Sequence, residues 1–151
     1  VWPIWREAVA ITPGGGKFGG VTHADINNVL RKLVVDFEDR DGSWSLQYDD
    51  IPLHVVSDPG ADRIRVIAPV PGADLADPSF LYRLLRANFE TALDARYCVW
   101  RGTLWSAFLH PLAALTEEVF IDGMEQVVTL VRTTGDTFSS TGLRFGGDEG
   151  H

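Results

Sequence analysis

Apolar and polar residues alternate in this chain with two different periods, and the period changes at turn residues. From Thr22 the apolar positions Ile26, Val29, Leu30, Leu33, Val34 and Phe37 recur at the spacing of one helix face. Thr22 stands three residues before Asp25, a capping-box pattern that starts the helix, and the charged run Asp36, Glu38, Asp39 and Arg40 before Gly42 ends it. The period then falls to two. Trp44, Leu46 and Tyr48 alternate with Ser45 and Gln47, and Asp49-Asp50 makes a tight turn. A two-residue turn there sets Tyr48 against Ile51, Leu46 against Leu53 and Trp44 against Val55, which lines up an apolar face. Ser45 and His54 meet on the reverse face, which points His54 to solvent. Asp58-Pro59-Gly60 turns the chain into a third strand, Arg63–Val70.

The helical period returns at Asp77-Pro78, an N-cap followed by proline at the first helical position. Leu81, Leu84, Leu85, Asn88, Phe89 and Ala92 mark its expected inner face. A hairpin follows. A type II′ turn at Gly102-Thr103 would set Trp100 against Trp105 and Cys98 against Ala107, with Tyr97, Val99, Ser106 and Phe108 on the reverse face. Thr116 caps the last helix, whose stripe is Val119, Phe120, Gly123, Met124, Val127, Val128 and Val131. Gly123 within that stripe implies a close neighbour. Gly135 is its expected stop.

These elements predict an α+β fold: helix, three-strand meander, helix, β-hairpin, helix, packed as a sandwich around a mostly antiparallel sheet. Three segments are expected: an N-terminal arm and Gly-rich linker over 1–20, the α+β domain over 21–135, and a flexible tail over 136–151. The arm carries Trp2, Ile4, Trp5, Val9 and Ile11.

Composition narrows the function classes. The 151 residues are 45% hydrophobic and 23% charged, as in ordinary globular domains, with a formal net charge of −8. No Lys/Arg cluster exists to displace counterions, which argues against nucleic acid. No stretch approaches the ~20 apolar residues of a membrane span. Residues 1–10 contain Pro3, Arg6 and Glu7 where a signal peptide would have an apolar core, so a cytoplasmic location is expected. Cys98 is the only cysteine and excludes an internal disulfide.

Chemistry-bearing patterns are few. Thr12-Pro13-Gly14-Gly15-Gly16-Lys17-Phe18 lacks the first glycine and the hydroxyl of a phosphate-binding loop. His23, His54, His110 and His151 share no ligand spacing, so no metal site or cofactor is expected. The acidic pairs are explained by turns, caps and solvated helix ends, and no residue is assigned a catalytic role.

The hairpin is the informative feature, because both of its faces are apolar. One face can complete the core, and the other needs a covering partner. The candidate partner-binding residues are Trp100, Trp105, Tyr97 and Phe108, with Leu85 and Phe89 on the preceding helix. Trp100 and Trp105 admit two readings, cross-strand core pair or interaction hot spot. Trp105 leans to the core, and Trp100 to the contact surface.

The element order and the stretches Leu84-Leu85-Arg86-Ala87-Asn88-Phe89, Ala92-Leu93-Asp94-Ala95-Arg96-Tyr97, Gly102-Thr103-Leu104-Trp105 and His110-Pro111-Leu112 resemble the type III secretion chaperone-like superfamily. That superfamily includes the Tir-chaperone (CesT) type and the related YbjN-type domains. The resemblance covers about residues 22–134. It implies a homodimer that binds an extended segment of an unidentified client protein through apolar surface, with no enzymatic activity. The competing expectation is a small-molecule or enzymatic pocket between sheet and helices, with His54, His110 and Asn88 as its polar groups.

Overall fold

The computed structural model describes residues 21–140, so the arm and linker over 1–20 and the segment 141–151 lie outside the described residues. The first helix, α1 (His23–Leu33), begins where the capping pattern places it. Thr22 Oγ1 accepts from the Asp25 N–H, and the Asp25 carboxylate accepts from the Thr22 N–H at 2.8 Å. The helix ends earlier than its apolar stripe suggests. Val34 is already extended, and Phe37 lies in a short strand, β1 (Phe37–Asp39), instead of on the helix. The meander therefore has four strands: β1, β2 (Ser43–Tyr48), β3 (Ile51–Asp58) and, after a 3-10 turn at Pro59–Ala61, β4 (Arg63–Pro69).

The helix α2 (Pro78–Glu90) follows, capped by Asp77 as expected. Then come β5 (Arg96–Trp100), β6 (Thr103–His110) and α3 (Glu117–Thr133), capped by Thr116. The six strands form one antiparallel sheet in the order β1-β2-β3-β4-β6-β5. The fold is the expected α+β arrangement with one strand more.

The β2–β3 register is the expected one, with Trp44 opposite Val55, Leu46 opposite Leu53 and Tyr48 opposite Ile51. Asp49 and Asp50 both have positive φ, as a tight turn matched to strand twist requires. The second hairpin turns one residue earlier than expected, at Arg101-Gly102, both again with positive φ. Trp100 therefore faces Thr103, Cys98 faces Trp105, and Tyr97 faces Ser106. Gly102 takes the second turn position, and the slip amounts to two residues in register. A two-residue slip preserves the faces, so Trp100 and Trp105 share a face as diagonal neighbours.

Among the described residues, all three helices bury their apolar sides in one core with Trp44, Leu46, Leu53, Val55, Ile64, Val66, Leu104 and Phe108. Gly123 of α3 sits over Phe108. A Cβ there would lie 2.6 Å from two ring carbons, which accounts for glycine within the stripe. Gln126, buried on α3, accepts the Asp94 and Ala95 N–H groups at 3.0 and 3.1 Å and donates to the Asp94 and Asp122 carboxylates. It thereby pins the α2–β5 loop to α3. Residues 136–138 do not begin a flexible tail: Phe138 enters the core beside Phe80 and Tyr97, and Ser139 and Ser140 are buried.

Candidate functional site

Alternation along the strands gives the sheet two faces, and among the described residues the helices occupy one of them. The opposite face carries His54 and Val56 on β3, Arg65 and Ile67 on β4, Trp105, Ala107 and Leu109 on β6, and Cys98 and Trp100 on β5. Ile67, Trp105 and Ala107 form a second apolar cluster, separate from the core, with Trp100 packed beside it. The expectation that His54 points to solvent is corrected. It is only 3% exposed, bonded through Nδ1 to Ser45 Oγ at 3.1 Å, and burial pushes its pKa down to about 2.

The candidate contact residues fall in three places. Tyr97 and Phe108 lie in the core between sheet and helices. Tyr97 donates its hydroxyl to the Leu130 carbonyl at 3.3 Å and meets Thr134 Oγ1 at 2.9 Å, and burial pushes its pKa up to about 12. Trp105 and Trp100 belong to the face opposite the described helices, Trp105 buried and Trp100 half-buried. Leu85 and Phe89 stand outward on α2, 69% and 94% exposed, which corrects their expected place on its inner face. The inner face of α2 is Leu84 and Ala87, with Phe80 and Leu81 packed against the core.

The cause of that rotation is Asn88. Its Nδ2 donates to the Tyr97 carbonyl at 3.1 Å, and its Oδ1 accepts the Tyr97 N–H at 2.7 Å. The amide thus occupies both backbone groups of Tyr97 on edge strand β5 and blocks strand addition there. With Asn88 turned to the sheet, Tyr82, Leu85 and Phe89, at spacings of three and four, form an outward stripe, with Tyr82 64% exposed. Leu93 and Val99 add exposed apolar area. Periodicity alone could not separate this stripe from the buried one.

At the other edge β1 is short, and Val35 before it is fully exposed. A cleft of about 530 Å³ lies beside it, lined by Val35, Phe37, Leu46, Pro52 and His54 among others. A second cleft of about 380 Å³ lies between α1 and the start of α3. Neither brings His54, His110 and Asn88 together. His110 bonds the Pro111 carbonyl through Nδ1 and stacks on Phe108, so it has a local structural task. Among the described residues no group of three or more His, Cys, Asp or Glu is placed to hold a metal ion. No helix among them is long and apolar enough to cross a membrane.

Against known proteins, residues 26–134 match the model of the Tir chaperone protein (CesT) family. No curated protein matches the chain in sequence. Among solved structures, the chain is similar to one from the HopA1–SchA chaperone–effector complex, with a TM-score of 0.58 and 16% identity over 71% of this chain and 87% of that one. It is also similar to a chain from the Yersinia pestis type III secretion chaperone SycH in complex with a stable fragment of YscM2, with a TM-score of 0.56 and 12% identity over 72% and 94%. A chain from the ExsC–ExsE complex gives a TM-score of 0.53 and 18% identity over 72% and 89%. At these identities the structural likeness is one of fold.

Proposed function

The chain belongs to the Tir chaperone protein (CesT) family, and from that premise we propose that it is a non-enzymatic, cytoplasmic chaperone that holds an extended segment of a client protein as a homodimer. The observation that carries this reading is the outward stripe Tyr82, Leu85 and Phe89 on α2, continued by Leu93 and Val99. A helix that has already buried Leu84 and Ala87 in its own core gains nothing inside the monomer from a second apolar stripe. Two copies meeting about a two-fold axis would bury the stripe twice, because an isologous contact uses the same patch on both partners.

The client segment has a different place in this reading. Edge strand β5 is capped by Asn88, whereas β1 adjoins an open cleft with the apolar walls Phe37, Leu46 and Pro52. An extended segment can add main-chain hydrogen bonds along β1 and set apolar side chains into that cleft. The net charge of −8 favours basic residues flanking the segment.

The test is affinity capture of the whole tagged chain from its source cell, followed by protease trimming of the captured complex and mass spectrometry. The proposal expects one retained client segment which, expressed alone, shows the narrow amide dispersion of an unfolded chain. A retained segment that is folded on its own, or no retained segment, overturns it.

A further inference from the structure

The sheet face opposite the described helices is covered, and its burial pattern shows where the covering layer lies. Side chains on one face of a sheet stand roughly perpendicular to it, so in-plane neighbours cannot remove a large one from solvent. Yet Trp105 is 2% exposed, Ile67 1%, His54 3% and Ala107 5%. Among the described residues, all three helices bury their apolar sides on the opposite face. His54, Ile67 and Ala107 pair directly across β3, β4 and β6, so they form one transverse row with Trp105 beside it. Val56 in the next row of β3 is 4% exposed as well, whereas Leu109 and Cys98 farther out on the same face are exposed. A bounded patch of this kind, crossing β3, β4 and β6, is the footprint of a short segment lying over the strands.

We propose that the occupant is the chain's own N-terminal segment, residues 1–11, and that the Gly-rich stretch 12–20 carries it around the β1–β2 edge. The starting point is suitable. His23, the first residue of α1, packs its ring 4.6 Å from Trp44 and places Nε2 2.9 Å from the Asp39 carboxylate, so the chain before it leaves beside β1 and β2. The length is sufficient. Nine residues over 12–20 span up to ~30 Å extended, and eleven over 1–11 up to ~36 Å. The buried row from β3 to β6 spans only ~10 Å. The chemistry also fits, since Trp2, Ile4, Trp5, Val9 and Ile11 supply the apolar side chains that Ile67, Trp105 and Ala107 require. The C-terminal stretch 141–151 is the poorer match, with Leu143 and Phe145 as its only large apolar residues, and it departs from the helix side where Ser140 bonds Thr91. The arm therefore acts as a tethered occupant of this face, and a partner using the same face must first displace it.

The lone Cys98 lies on this face opposite Trp105 and makes the test direct. Chains of residues 1–151 carrying Ile4→Cys, Val9→Cys or Ile11→Cys are oxidised mildly, and their disulfides are mapped by mass spectrometry. At least one should link to Cys98 within the same chain, at a rate that falls at least about tenfold when Trp2→Ser and Trp5→Ser are added. A rate unchanged by those substitutions would mean random encounter by a loose tether and overturns the proposal. So do links only between chains, links only from Leu143→Cys, or none. Removal of residues 1–20 should raise binding of an apolar dye several-fold, and a synthetic 1–11 peptide should reverse the rise. No client is needed, so failure here leaves the chaperone reading standing, and failure of that reading leaves this one.

Discussion

Replacing Gln126 tests how α3 holds the loop that places α2 beside β5. Gln126→Leu keeps the size and the helix but removes the acceptor shared by the Asp94 and Ala95 N–H groups. Ala95 is fully buried, so its N–H loses a partner with no water to replace it, at about 2 kcal/mol. Asp94 is exposed and part of its loss is recovered, leaving about 1 kcal/mol. The lost bonds to the Asp94 and Asp122 carboxylates and the gain from burying leucine are opposed terms of about 1 kcal/mol each. The net expectation is a loss of about 2–3 kcal/mol, read as a lower urea midpoint at unchanged slope, with faster hydrogen exchange at Asp94 and Ala95. Gln126→Glu keeps the acceptor but sets a third carboxylate against Asp94 and Asp122. Burial and the two neighbouring carboxylates raise its folded pKa against the opposing pull of the two N–H donors, so its stability should fall as pH rises above the ordinary Glu value of about 4.3 and recover on acidification, which the leucine variant does not do. A loss below about 0.5 kcal/mol for Gln126→Leu with exchange unchanged, or a pH-independent Gln126→Glu, would refute the reasoning.

Gly123→Ala should destabilise by about 1–2 kcal/mol in chemical denaturation. The forced shift of the Phe108 ring outweighs the ~1 kcal/mol helix gain, and a stabilised variant would contradict the packing. Tyr97→Phe should cost about 1 kcal/mol through the bonds to Leu130 and Thr134, with no change of fold by circular dichroism. His54 is held neutral in the fold, with its pKa near 2, and takes up a proton near pH 6.5 when unfolded. Its stability contribution is therefore complete above that pH and is lost as pH falls below it. The difference between wild type and His54→Gln should approach a slope of about 1.4 kcal/mol per pH unit between pH 6 and 4, and a flat difference would place His54 in solvent.

The meander was legible because its code is local. Alternation from Trp44 to Tyr48, a two-residue Asp49-Asp50 turn and the matching residues Ile51, Leu53 and Val55 leave one register that keeps the apolar face together. Strand β1 was not legible, since Phe37 falls at a helical spacing from Leu33 and Val34. What ends α1 is the extended Val34 and the pairing of Phe37 with Leu46, a tertiary event. On α2 the stripe of Leu81, Leu84 and Asn88 competes with that of Tyr82, Leu85 and Phe89. The first wins because the Asn88 amide satisfies the Tyr97 backbone, a long-range bond with no local signature. Leu85 and Phe89 were thus legible as part of an apolar helix but not as outward-facing residues. The two faces of the second hairpin were legible even though its turn was misplaced, because parity survives a slip of two. The burial of His54 was not, because it depends on what lies over the sheet.

The central claim, that the outward stripe of α2 is a contact surface between two copies, is tested most directly by sedimentation equilibrium of the whole chain and of Leu85→Asp/Phe89→Asp. Each two-fold contact would bury four such side chains, worth about 1.5–3 kcal/mol apiece before the costs of association. Wild type should be a dimer at micromolar concentration. The double variant should be a folded monomer whose unfolding midpoint no longer depends on protein concentration and is lower than that of wild type only by the lost contribution of association, because neither side chain is in the core. A monomeric wild type, or a double variant that dimerises as tightly, would contradict the account.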